Sequence, residues 1–389
     1  MSDMLGRRLW SRWAIGVLCS SALLLAGCGD FFTKDTGGGG GGGSVGSYIY
    51  LGTQSGILAS YSVSTTGALA ALSGSPYQLA TAGINSLAAT PNNAVLYAGV
   101  AGVGVFGLAL NSSTGVGTLI DTSALVQDVA PSAITVDPTG KYLLVAGLAN
   151  GAAAVGEYVI NSDGTLAEAT ISPVTITFPA NTDTTNLSIQ NIAVAPNSSY
   201  VFVTMGQLGV APLPFNTSGG LTANTQIISP KLTSGIANQD LGLAVNSASS
   251  ALFIGETNAG VRVLTIGASS SFKEISGSPF AAGGQPRSIT FDGTGDYLYA
   301  ADASASTISG YTVLSSGTLT ALSGSPFSSV GSQPFALSLD QSKKFLLSAN
   351  LGGGPSLQLF SFDATTAGKL DPGATATDAS LPAAIASTH

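Results

Sequence analysis

Gln285-Pro286-Arg287-Ser288-Ile289-Thr290-Phe291-Asp292-Gly293-Thr294-Gly295-Asp296-Tyr297-Leu298-Tyr299-Ala300 decides how the chain folds. A short apolar run, Ser288 to Phe291, meets a turn, Asp292 to Gly295, and a second apolar run, Tyr297 to Ala300, follows. Asp and Gly at these offsets suit a tight hairpin turn, so the stretch predicts two antiparallel strands. Working outward, an alternating segment runs from Ile308 to Val313, a Gly317-Thr318-Leu319 turn comes next, and Ser325-Pro326 closes the unit.

The unit repeats along the chain. The run Tyr297-Leu298-Tyr299-Ala300 has counterparts starting at Tyr48, Val95, Tyr142, Tyr200, Ala251 and Phe345. In chain order the starts are separated by 47, 47, 58, 51, 46 and 48 residues. A period of this length suits a four-stranded propeller blade. Ser-Pro pairs close five units, at Ser75, Ser172, Ser229, Ser278 and Ser325. An outer edge strand tolerates a Pro that lacks an N–H. A β-helix has shorter repeats and does not close, and a sandwich does not explain seven registered copies. The predicted fold is therefore all-β, a seven-bladed β-propeller over residues 47–389. Near the C-terminus, Leu381-Pro382-Ala383-Ala384-Ile385-Ala386 matches an inner strand, while Tyr48 to Leu51 lacks one. Pairing of these N- and C-terminal strands is expected to close the ring and remove its open edges.

Ahead of the propeller lie an address and a tether. Arg7, Arg8 and Arg12 precede the apolar run Trp13 to Leu25, and Leu25-Ala26-Gly27-Cys28 follows. This order marks a secretory signal peptide over residues 1–27, too short to span a bilayer. The small-small-Cys ending resembles the bacterial lipobox, which implies lipidation of Cys28. Leu18 is too bulky before Cys19 for Cys19 to compete, and Leu9-Trp10-Ser11 fits twin-arginine export poorly. Residues 28–46 then form the lipidated Cys and a Gly-rich tether containing Gly37 to Gly43. The expected location is the bacterial cell envelope, extracytoplasmic, in the periplasm or on the cell surface. Partners are the membrane, through the lipid on Cys28, and an unidentified small-molecule, glycan or protein ligand; a monomer is expected.

Composition removes several function classes. Charged residues make up 8 % of the 389, and the net charge is −8. Removing residues 1–27 takes away three arginines and one aspartate, which leaves −10. Nucleic-acid binding needs clustered Lys and Arg, and no such run follows the N-terminus. Cys28 is the one cysteine left after processing, so neither a disulfide framework nor a cysteine metal site is expected. The single His, His389, ends the chain, so a held imidazole for a Ser-His-Asp triad or a His-based zinc site is not expected. Gly102, Gly104 and Gly107 spell G-x-G-x-x-G, but Leu108 to Leu110 continue a strand where a dinucleotide site needs a helix. Asn161 to Gly164 hints at a calcium loop but falls on a repeat turn and lacks the later glutamate. No cofactor and no metal are expected.

The blade pattern of Pro-x-x-Ile, Asp-x-x-Gly, Tyr-Leu-Tyr, Gly-Thr-Leu and Gly-Ser-Pro-Phe resembles the lactonase-type seven-bladed propellers. That family includes 6-phosphogluconolactonase and carboxymuconate-cycloisomerase-like proteins. The likeness is densest from Gln285 to Phe327. It implies a ligand site at the channel mouth, with Gln285, Arg287 and Gln333 on loops entering inner strands. It places Glu256, Asp302 and Asn350 on loops leaving the next strands. Arg287 is suited to clamp a carboxylate, and Glu256 or Asp302 to act as a general base towards a lactone carbonyl or a water. Gln285, Gln333 and Asn350 are candidate ligand-binding residues. Two readings of function follow. One is a non-catalytic binding or scaffold propeller. The other is a lactone-ring hydrolase, a carboxylic ester hydrolase implied by the family resemblance.

Overall fold

A computed structural model describes residues 44–388, apart from 171, 219 and 378. The signal peptide, Cys28, most of the tether and His389 lie outside the described residues. The described chain is all-β, with one short 3-10 turn at Ala268–Ser270. Seven antiparallel sheets form seven blades. Their inner strands, Ile84–Ala89, Ala130–Val136, Asn191–Val194, Asp240–Val245, Pro286–Phe291, Pro334–Leu339 and Pro382–Thr388, each contact the next, and the last returns to the first. The ring closes as expected. Pro382–Thr388 pairs with Val45–Thr53, so the first blade takes its inner strand from the end of the chain.

The recurring run is the second strand of each blade, and its chemistry follows from its place. Val95–Val100, Ala251–Glu256 and Phe345–Asn350 are buried at every residue. Each is covered on both faces by neighbouring blades, so it reads as a continuous apolar run rather than an alternating one. Alternate residues serve opposite neighbours. Leu298 and Ala300 join the core between blades 5 and 6, whereas Tyr299 and Ala301 join the core between blades 6 and 7. Among the described residues there are seven such clusters, one at each blade interface.

The repeated Tyr and a glycine of the outer turn, at Gly164 the first residue of a Gly-Thr-Leu, are two halves of one contact. Tyr97 Oη donates to the Gly164 carbonyl at 2.9 Å, Tyr299 Oη to that of Gly368 at 2.6 Å, and Tyr50 Oη to that of Gly115 at 2.6 Å. In each case a second-strand hydroxyl bonds the turn of the next blade. Tyr97→Phe and Tyr299→Phe each strand a carbonyl in a dry interface. Each is expected to cost about 1 kcal/mol. The double variant should cost about the sum, because the sites share no partner. Urea unfolding measures both.

Asp at the head of the inner hairpin turn is also explained. Asp292 Oδ1 accepts N–H bonds from Gly295 at 2.9 Å and Tyr297 at 3.0 Å, while Oδ2 accepts from Thr294 at 3.0 Å. The Ser-Pro pairs differ from expectation. They sit in the turn before a short fifth strand such as Phe327–Ser328, not within an edge strand. The Ser hydroxyl does the bonding: Ser75, Ser172, Ser278 and Ser325 accept the N–H of Ser60, Glu157, Val263 and Gly310 at 2.8 to 3.0 Å. Ser229 departs from this pattern, and its blade instead leads into an extra hairpin, Leu232–Thr233 with Ile236–Ala237.

Candidate functional site

The inner strands converge on a cavity of about 250 Å³ at the end of the channel where they begin. All seven contribute to its wall. Leu87, Ile134, Leu243, Ile289, Leu337 and Ile385 line it with aliphatic side chains, and Asn85, Gln190, Asn191, Arg287 and Phe335 add polar and aromatic groups. The volume lies near the lower end of small-molecule pockets. It suits a ligand about the size of one sugar ring.

Among the described residues, Arg287 is the one charged residue in this wall. Its position follows from the strand: Pro286 is buried and pairs with Asp302, and the next side chain turns into the channel. The guanidinium lies 4.7 Å from the Phe335 ring centroid and donates to Gln190 Oε1 at 3.4 Å. Among the described residues no carboxylate forms an ion pair with it. Burial pulls its pKa below the ordinary arginine value, yet arginine stays charged in proteins. The result is a half-buried cation whose planar fork keeps most of its five N–H donors free. Such a group matches a carboxylate or phosphate bidentately.

The other sequence candidates lie elsewhere. Glu256, Asp302 and Asn350 share one register position, the last residue of the second strand in blades 5, 6 and 7. All three are fully buried, and none lines the cavity. Glu256 pairs with Arg262 at 3.0 Å and accepts the Lys231 N–H at 3.3 Å. Asp302 accepts a bond from Ser309 Oγ at 2.5 Å, and burial raises its pKa. Asn350 donates to the Pro355 carbonyl at 3.1 Å and accepts from Ser348 at 2.8 Å. Gly283 and Gly331 press against Asp302 and Asn350 so closely that a Cβ at either would collide. Gln285 and Gln333 are exposed and outside the cavity wall. Gln285 offers its carbonyl to Ala303 N–H at 3.0 Å, and Gln333 N–H bonds Ser306 Oγ at 3.2 Å.

Asn85, Gln190, Asn191 and Phe335 escaped the sequence reading. A usable signal existed: aligning Ile84-Asn85, Pro286-Arg287 and Pro334-Phe335 puts Asn85, Arg287 and Phe335 in one column.

Fold and cavity together define a closed seven-bladed propeller with a ligand-sized channel mouth. Residues 248–381 match the family described as lactonase, 7-bladed beta-propeller, which is the resemblance expected from the blade motifs. The match runs from the second strand of blade 5 through blade 7 and includes Arg287. A putative 6-phosphogluconolactonase from Bacteroides fragilis is similar at a TM-score of 0.69 and 18 % identity, covering 89 % of this chain and 99 % of that one. The periplasmic gluconolactonase of Pseudomonas aeruginosa is similar at a TM-score of 0.65 and 16 % identity, covering 88 % and 99 %. Likeness at these identities speaks for the fold. No curated protein matches the chain.

Proposed function

We propose that this protein is a lipid-anchored, extracytoplasmic, monomeric propeller that binds a small anionic ligand at the channel mouth through Arg287. The observation that carries this reading is the unpaired guanidinium in a cavity to which every blade contributes. A carboxylate or phosphate would supply the missing charge. The amides of Asn85, Gln190 and Asn191 would orient ligand hydroxyls, and the Phe335 ring would pack on an apolar face. Export and anchoring rest on Arg7, Arg8, Arg12, the run from Trp13 to Leu25, and Cys28.

Lactone hydrolysis is the second reading, favoured by the family match across Arg287 and by the names of the two similar structures. It needs a base within hydrogen-bond reach of a lactone or its attacking water. Among the described residues the cavity wall contains no Asp, Glu or His, and Glu256 and Asp302 are buried outside it, which is why binding comes first. The test is a pH-stat assay of the full chain over sugar and aliphatic lactones, alongside thermal shifts with the matching sugar acids. Binding of acids without turnover above the spontaneous rate supports the binding reading. Turnover that disappears in Arg287→Ala would replace it with the hydrolase.

A further inference from the structure

Three acidic groups that the channel does not use, Asp240, Glu256 and Glu274, gather in blade 5. Asp240 opens the inner strand and is the register partner of Glu256 at the end of the second. Both side chains are fully buried. Glu256 Oε1 takes the Arg262 guanidinium and the Lys231 N–H, but Glu256 Oε2 and both Asp240 oxygens have no hydrogen-bond partner. Arg262 Nε bonds Glu274 at 3.2 Å, and Glu274 takes the Lys231 ammonium at 2.8 Å. Arg287, on the adjoining inner strand, turns away into the channel. The cluster thus holds three carboxyl groups against two cations and is one positive charge short.

An uncompensated buried charge is strongly destabilising, and so are buried acceptors left empty. Calcium would need six or more oxygen ligands, and among the described residues no group of three His, Cys, Asp or Glu could hold a metal. A proton answers both needs, because it cancels the charge and turns one carboxyl into a donor. We infer that Asp240 and Glu256 share one proton in the folded protein, and that this proton fastens the extra hairpin, Leu232 to Ala237, to blade 5. The hairpin springs from the same cluster. Ser229 offers its carbonyl to Arg262 at 2.7 Å, Lys231 N–H bonds Glu256, and Asn238 N–H bonds the Lys231 carbonyl at 2.9 Å. Leu232 and Ile236 project from it, each 67 % exposed. Loss of the proton would place two like charges beneath this anchor.

Burial pushes the Asp240 carboxyl up to about 9, the Glu256 charge adds to the rise, and Arg262 opposes it. The folded pKa then lies above the unfolded value of about 3.9. The folded state holds the extra proton between those limits, so its stability is greatest at the acid end and falls as pH rises. The fall approaches tenfold in the folding equilibrium per pH unit and levels off above the folded pKa.

Urea unfolding of the full chain from about pH 5 to about pH 10 tests this. Wild type should lose stability with rising pH, and Asp240→Asn should flatten that slope, leaving the part that the raised Asp302 carboxyl contributes, and exceed wild type at the alkaline end. Parallel pH curves for the two proteins would overturn the inference. Should Asp240→Asn fail to fold, infrared spectroscopy of wild type decides. A protonated-carboxyl C=O stretch present at neutral pH, lost with an alkaline midpoint and altered in Glu256→Gln, supports the shared proton; no band lost over that range, or a band that Glu256→Gln leaves unchanged and that therefore belongs to Asp302, refutes it.

Discussion

Deleting residues 382–389 is expected to abolish cooperative folding. That segment's described residues, Pro382–Thr388, are the whole inner strand of blade 1, paired along Tyr48 to Thr53. It also supplies Ala384 and Ala386 to the core between blades 1 and 2, and Ala383 to Ile385 to the channel wall. Its loss opens the ring at the contact where the last inner strand meets the first, and it bares a strand edge that invites association. Domains are held by only about 5–15 kcal/mol in total. Removing a buried central ladder from a closed ring exceeds what such a margin absorbs. Circular dichroism melting and size exclusion read the outcome: a broad or absent transition, with aggregated material. A sharp transition at the wild-type temperature would show that closure contributes little.

The second large effect is at Arg262. Its guanidinium is the cation that meets the fully buried Glu256, and it also binds Glu274 and the Ser229 carbonyl. Arg262→Ala strands the Glu256 charge in a low-dielectric site, a loss of about 3–5 kcal/mol. Replacing both partners removes the stranded charge, so Arg262→Met with Glu256→Gln should recover part of the loss. Urea midpoints for the single and double variants check this. A single variant within error of wild type would mean that water reaches Glu256.

These two sites differ in how far sequence could reveal them. Closure was legible because Leu381 to Ala386 copies an inner strand while Tyr48 to Leu51 lacks one. The second strands were legible because burial on both faces leaves no polar alternation to obscure them. Arg262 was not legible. It sits in an ordinary third strand, Gly260–Ile266, and its partner Glu256 read as a loop acid near a channel. The same ambiguity affects Asp302 and Asn350. A polar residue that ends a strand looks alike in sequence whether it meets a ligand or seals a turn, and close packing by Gly283 and Gly331 decides the matter here. Arg287 was found because the family resemblance implies a ligand site on the loops that enter the inner strands, and Arg287 falls there. Gln190 and Asn85 were missed because the channel gathers residues far apart in sequence, and polar amides are common in this chain.

The most direct test of the account is a calorimetric titration of sugar acids into wild type, Arg287→Ala and Arg287→Lys. The account expects one-to-one binding by wild type. It also expects a loss of about 1.5–3 kcal/mol in Arg287→Ala, the worth of a hydrogen bond to a charged group, which is roughly ten- to a hundredfold in Kd. Arg287→Lys should fall between, because an ammonium keeps the charge and loses the fork. Equal affinity for wild type and a folded Arg287→Ala variant would contradict a ligand site built on Arg287.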